Sequence, residues 1–417
     1  MVAIVGAGCA SPQPSEPARP GRVAEPAPVA SVTPPPPAPT RETPPVSQPQ
    51  RQPLRLIALL LPLSDAERKV AEAVRDGFVA AHLAAGARAD RPELLILDAS
   101  GPGATAAYQT AVAAKAGVIV GPLLKQAVAE VAAAGTPVPT LALNFLDPDT
   151  ATPSNLYQFS LSPEDEARQV AERATTQGQR RALALAPDND WGRRMLAAFI
   201  PALESREGRV IDYHLYDPSA TDYTAAIERL LLLDESRARY RQLTAYLGVP
   251  VGFEARRRDD VDLIFLAANV GSGRLIWPQL RFLYAGDLPT YATSSVFQAG
   301  SSGDRDLDGV MFTDIPALLD VQPEAAELRA AIAAHWPPGT TALMRFFAMG
   351  FDAYALARDL GDGVQPRRNG LTGQLSTDPQ RRIHREMPWA KFRDGAIVVL
   401  PAVAPQLPPS APSPAPP

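Results

Sequence analysis

Between Leu54 and Leu400 the chain alternates short, uninterrupted apolar runs with longer stretches of helical period. This alternation is the strongest constraint on its fold. A run such as Leu56-Ile-Ala-Leu-Leu-Leu-Pro-Leu63 shows no polar alternation. A strand built from it needs cover on both faces, the condition of a parallel sheet with helices on either side. Leu94-Leu-Ile-Leu-Asp98, Gly117-Val-Ile-Val-Gly121 and Thr140-Leu-Ala-Leu-Asn144 repeat the pattern, with helices expected near 66–85, 104–116 and 125–134. A second set follows. Ser162-Pro163-Glu164-Asp165 opens a helix with an N-cap serine, proline at the first position and acids in the first turn. Strands are expected at Arg181–Ala186, Val210–Tyr216 and Val261–Ala267, with helices between them. The reading is α/β: two doubly wound parallel-sheet units in tandem. Pro289–Ser294 and Gly309–Ile315 read as strands returning to the first unit.

Proline marks the limits of this body. Of 45 prolines, 15 fall in residues 1–53 and 8 in 401–417, leaving an ordinary density between. Residues 10–53, centred on Pro34-Pro-Pro-Pro37, offer too little apolar surface to fold and read as a disordered tether. In polyproline II form it would reach up to about 130 Å. Residues 401–417 read as a disordered tail. The one cysteine, Cys9, follows an apolar run ending in small residues. Residues 1–9 thus read as the truncated end of a lipoprotein signal, with Cys9 as the lipidation site. Ala10 behind it suits outer-membrane delivery. A formal net charge of −5 argues against a general nucleic-acid binder.

A search for catalytic motifs comes back empty. No Ser-x-x-Lys, Gly-Lys-Ser/Thr or Gly-x-Ser-x-Gly occurs. His82, His214, His335 and His384 lie far apart, so no metal site or cofactor is expected. Gly101-Pro-Gly103-Ala-Thr-Ala106 fits a dinucleotide fingerprint, but it follows the second strand and Pro102 removes a backbone donor. It reads as a loop. Glu164-Asp165-Glu166 reads as capping acids. The stripe from Phe346 to Tyr354 reads as core on a long helix beginning near Thr340.

Ligands of open α/β sheets sit at the carboxyl ends of the strands. That rule nominates Gly121, Pro122, Leu123, Asn144, Phe145, Asp190, Trp191 and Asn269 as cleft residues. Asn144, Asp190 and Asn269 could instead cap neighbouring helices. Arg256, Arg257 and Arg258, beside Asp259-Asp260, read as a solvated turn with ion pairs or as a partner-binding patch.

Several segments, in order along 54–400, resemble the LppC/LpoA-type lipoproteins, the penicillin-binding protein activator family. They include Gly121-Pro-Leu-Leu-Lys125, Phe159-Ser-Leu-Ser-Pro-Glu-Asp-Glu-Ala-Arg168 and Tyr291-Ala-Thr-Ser-Ser295. Asp308-Gly-Val-Met-Phe-Thr-Asp-Ile-Pro316, Arg345-Phe-Phe-Ala-Met-Gly-Phe-Asp-Ala-Tyr354 and Trp389-Ala-Lys-Phe392 continue the series. The resemblance implies a two-lobed type I periplasmic-binding-protein fold with three crossovers between lobes. The lobes are expected at 54–161 with 286–365, and at 162–285 with 366–400. It also implies an outer-membrane lipoprotein on the periplasmic side that does no chemistry and activates a class A penicillin-binding protein, a peptidoglycan synthase. Longer members carry a helical repeat domain where this sequence has the proline-rich segment. The competing reading is a periplasmic solute-binding receptor, with an amino acid or cell-wall fragment in the cleft.

Overall fold

The computed structural model describes residues 54–85, 91–249, 252–300, 304–319 and 343–402. Cys9, the segments 1–9 and 10–53, and the tail from 403 onward lie outside the described residues.

The first half runs β1 (Leu56–Leu61), α1 (Arg68–Ala84), β2 (Glu93–Asp98), α2 (Ala104–Ala113), β3 (Val118–Val120), α3 (Lys125–Ala134), β4 (Thr140–Ala142) and β5 (Leu156–Phe159). The second continues with α4 (Pro163–Thr176), β6 (Arg181–Pro187), α5 (Asp190–Glu204), β7 (Arg209–Tyr216), α6 (Thr224–Leu230) and α7 (Leu233–Leu247). Then come β8 (Leu263–Leu266), α8 (Val270–Leu280), β9 (Thr290–Ala292) and β10 (Met311–Thr313). After the long helix Met344–Gly361 the chain closes with β11 (Arg367–Gly370), β12 (Gly373–Thr377), β13 (Arg382–Glu386), β14 (Trp389–Arg393) and β15 (Ala396–Leu400).

The strands form two sheets. One has the order β11-β12-β13-β5-β4-β3-β1-β2 and the other β15-β14-β10-β9-β8-β6-β7. As the apolar runs require, β1 pairs in parallel with both β2 and β3 and is buried from Ile57 to Leu61. Its two faces fill separate cores. Ile57, Leu59 and Leu61 meet Val74, Phe78 and Tyr354 on one side, while Ala58 and Leu60 meet Tyr108 and Ile119 on the other.

Two expectations about the sheets are corrected. The strands near 290 and 311 do not return to the first unit: β9 pairs with β8, and β10 with β9, so both belong to the second sheet. Nor does 366–400 stay in one lobe. β13 pairs with β5 in the first sheet, and β14 pairs with β10 in the second. Strand runs this short state no partner; pairing is a tertiary choice. The chain therefore changes sheets after Phe159, between Thr313 and Met344, and between Glu386 and Trp389.

The long helix returns the chain to the first unit by lying against α1. A Cβ on Gly77 would sit 1.9 Å from the Phe347 carbonyl oxygen, and one on Gly350 1.9 Å from that of Val74. Two glycines thus let the helix backbones approach more closely than any side chain permits. Phe347, Met349 and Tyr354 are buried core, as the aromatic stripe predicts. No described helix is long and apolar enough to cross a membrane.

Candidate functional site

The three changes of sheet converge on a buried polar cluster. Glu166, on the inward face of α4, is 5% exposed and accepts hydrogen bonds from Ser294 N (2.8 Å) and Ser294 Oγ (3.0 Å). Asp314, fully buried just after β10, accepts from Arg345 Nε at 2.9 Å and pairs with its Nη2 at 2.5 Å. The same Nη2 donates to the carbonyls of Ser294 and Phe297. Arg385 on β13 donates Nε to the Ser160 carbonyl at 3.1 Å, while its buried Nη2 has no hydrogen-bond partner among the described residues. Gln169 bridges the third passage, donating to Arg385 O and accepting from Met387 N. The first and third passages are thereby bonded to each other, and Ser294 joins Glu166, which follows the first, to Arg345, which follows the second.

Its sequence context marks Glu166 as one of three capping acids. The cap is Ser162, whose Oγ accepts from Asp165 N, while Glu164 reaches Arg194 at 2.9 Å. Glu166 instead turns inward, because the fourth position of the helix faces the core. Burial pushes its carboxyl up to about 7, with Asp314 adding to the rise and Arg385 and Arg345 opposing it. A carboxyl raised above its unfolded value holds its proton in the folded state, so stability falls as pH rises from the unfolded value to the folded one. Glu166→Gln is expected to change the melting temperature little near pH 4 and to raise it above pH 7. The difference corresponds to a few kcal/mol, at about 1.4 kcal/mol per unit. Urea titrations of both proteins at pH 4.5 and pH 8 check this.

The nominated cleft residues divide. Gly121 follows β3 with φ of 101° and precedes a cis peptide bond to Pro122. A Cβ there would meet the Leu60 carbonyl oxygen at 2.1 Å, so both residues shape the turn. Asn144 is pinned locally, donating Nδ2 to Leu123 O at 3.0 Å and accepting from Phe145 N. Asn269 is the N-cap of α8, accepting from Ser272 N at 2.9 Å. Asn189, not Asp190, caps α5 through Gly192 N. Asp190 is exposed, and Trp191 packs against the Ala-rich core beneath α4 and α5. Asn269→Ala is expected to cost about 1 kcal/mol, read as a lower urea midpoint. The Gly101–Gly103 turn is occupied by the protein itself, since Gly101 N donates to the Asp65 carboxylate at 2.9 Å. That agrees with a loop reading.

Leu123, Asn144 and Phe145 do line one recess of about 1170 Å³. Its other walls are the polar face of β12 and β13 and the facing sides of α4 and α5; Asp190, Trp191 and Asn269 are absent from it. The recess therefore lies beside the strand-end cleft nominated from sequence. The signal that could have revealed it is the period-two pattern in Gln374–Ser376 and Arg382–Glu386, whose alternate residues are buried and exposed.

The Arg256–Arg258 run splits as well. Arg257 pairs with Asp287 at 2.7 Å and donates to Tyr284 O; Arg258 forks onto Asp260 at 2.6 and 2.8 Å. Those bonds hold the Asp260 carboxyl below the usual carboxylate range. Arg256 alone presents an exposed side chain.

The family model described as "LppC putative lipoprotein" matches residues 42–395. Penicillin-binding protein activator LpoA of Photobacterium profundum is 31% identical over 350 residues, covering 82% of this chain and 56% of that protein. The chain thus spans about half the length of the curated relatives it matches. The solved C-domain of LpoA from Haemophilus influenzae, described as a regulator of PBP1A, superposes with a TM-score of 0.63 at 26% identity. It covers 83% of this chain and 99% of that one. A structure from Chromobacterium violaceum, described as a "putative branched-chain amino acid ABC transporter", gives 0.61 at 27% identity, covering 81% and 99%. The two-sheet α/β body has the type I periplasmic-binding-protein architecture, and the curated relatives are named as activators rather than as enzymes. The chain belongs to the LppC lipoprotein family.

Proposed function

We propose that this protein is a non-catalytic activator of a peptidoglycan synthase, acting by direct contact with a class A penicillin-binding protein. The observation that supports this most is the near-complete correspondence with the LpoA C-domain, described as a regulator of PBP1A. The buried cluster is consistent with it: the charges gathered there bind the passages between sheets to one another, as a scaffold requires.

The partner surface on this reading lies around Arg256. Beside it α7 is buried only at Leu233 and Ser236, and Leu243, Tyr246, Leu247 and Val249 are exposed, with Tyr246 at 88%. Phe253 stacks on Tyr240 at 4.3 Å and joins this apolar surface to the loop of Arg256. Exposed apolar residues beside a guanidinium that has no partner among the described residues are the usual composition of a contact surface. The full chain should retain solubilised class A penicillin-binding proteins and raise their glycan polymerisation and crosslinking. Tyr246→Asp combined with Arg256→Glu should weaken retention at least tenfold without moving the melting temperature. Retention unchanged in that variant would exclude this surface, and no stimulation by the parent chain would exclude the function.

On this reading the protein sits on the periplasmic side of the outer membrane, held by a diacylglycerol on Cys9. Labelled palmitate should enter the parent chain and not Cys9→Ser, which should leave the membrane fraction.

A further inference from the structure

The recess beside the sheet passages has a charge pattern that scaffolding does not need. Most of its ionic groups satisfy one another. Lys125 pairs with Asp147, Arg168 with Asp165, Arg194 with Glu164, Arg206 with Glu172 and His384 with Asp378. Four groups on the facing strands stand outside these pairs; one of them, Arg385, is buried and turned to the Ser160 carbonyl, and the other three face the recess. Arg367 is exposed and has no acidic partner among the described residues. Arg382 donates Nη2 to the Leu146 carbonyl at 3.2 Å, and its guanidinium lies 5.5 Å from the centre of the Phe145 ring. It is held in place by a neutral carbonyl and an aromatic face, and the rest of its fork has no partner among the described residues. Glu386 is exposed and likewise has no cationic partner among the described residues.

The register orders these groups. Ser376 sits between Arg367 and His384 across three strands, and Gln374 faces Glu386. Arg382 and Glu386 are four residues apart on one strand, so both point to the same face, roughly 13 Å apart. A guanidinium fork matches a carboxylate, and a lone carboxylate matches an ammonium. Three extended residues span roughly 10 Å between their ends. His384 stands on the line between, and the amide-bearing Gln374 and the hydroxyl of Ser376 lie beside it on the neighbouring strand, where a peptide backbone needs partners.

We propose that this recess is a binding site for a short zwitterionic peptide of two to four residues. Its carboxylate is taken by Arg382 and Arg367, and its amino group by Glu386. Phe145 and the apolar wall of Phe346 and Met349 cover the peptide's side chains. Because α4 and α5 close the other side of the recess, the bound peptide touches both units and stiffens the angle between them.

The experiment is calorimetry and thermal unfolding of the full chain with trialanine, in L and D forms, up to 10 mM. Controls are N-acetyl-trialanine and trialanine amide. The expected result is saturable binding of one trialanine with a rise in melting temperature. Each control should bind at least tenfold more weakly, because one end is left unpaired. Arg367→Gln should reduce affinity at least tenfold while leaving the ligand-free melting curve in place, since this side chain is exposed and unpaired. Arg382→Gln tests the held fork, and its ligand-free melting curve reports any loss of fold. Failure of both trialanines to bind overturns the site, and so does equal binding of the capped forms. Unchanged affinity in Arg367→Gln overturns the assignment of the carboxylate end. A sugar acid such as N-acetylmuramate binding in place of trialanine would also overturn it. Synthase stimulation is a separate readout, so this proposal and the activator reading can fail independently.

Discussion

Replacing Arg345 by alanine is expected to lower the stability of the protein by about 3–5 kcal/mol, the cost of leaving a buried charge without its partner. Asp314 is fully buried, and the Arg345 guanidinium is its charged hydrogen-bond donor. The same guanidinium closes the carbonyls of Ser294 and Phe297. Its loss therefore exposes a carboxylate and two carbonyls to the interior at once. A fall in melting temperature of roughly 5 °C is the readout. Arg345→Lys keeps the charge and loses the fork, so it should recover only part of the stability. Removing both charges, as Arg345→Met with Asp314→Asn, should restore more than half of the loss. If the single variant melted like the parent, the cluster would not be what holds the passages between sheets.

The second large effect is steric. Gly350→Val should yield little folded protein, and Gly350→Ala should lose at least the roughly 3 kcal/mol at the upper end of ordinary overpacking. A Cβ at 350 would lie 1.9 Å from the Val74 carbonyl oxygen and 2.9 Å from the Phe78 nitrogen, both backbone atoms that cannot step aside without moving α1. Gly103 is the control, since nothing lies within 4 Å of a Cβ placed there. Gly103→Ala should leave the urea midpoint unchanged. Parent-like stability of Gly350→Ala would mean that the two helices can separate without cost to the rest of the body.

These two sites differ in how far the sequence announced them. Gly350 stands inside Phe346-Phe-Ala-Met-Gly-Phe351, a run legible as a buried helix, yet nothing local says that a second helix crosses there. Arg345 and Asp314 are 31 residues apart and looked ordinary. Glu166 was hidden by a better local explanation, since an acid in a first helical turn needs no tertiary reason. Of the nominated cleft residues, only Leu123, Asn144 and Phe145 meet in the recess; Asn269 caps a helix, and Asn189 takes the cap expected nearer Asp190. The recess itself is built largely from β12 and β13, strands too short and too polar to stand out as a wall.

What the sequence determined by itself is the class of the body. Uninterrupted apolar strands between amphipathic helices leave only a parallel sheet covered on both faces, because their backbone and side chains can be satisfied in no cheaper way. The tertiary structure alone decided which sheet the late strands joined. Strand pairing is a contest between distant partners with similar edges, and three- or five-residue strands carry no local mark of the winner. The same contest placed Arg345 against Asp314 and opened the recess before Arg382, so the positions where the protein's charges meet were set by the path of the chain between its two sheets.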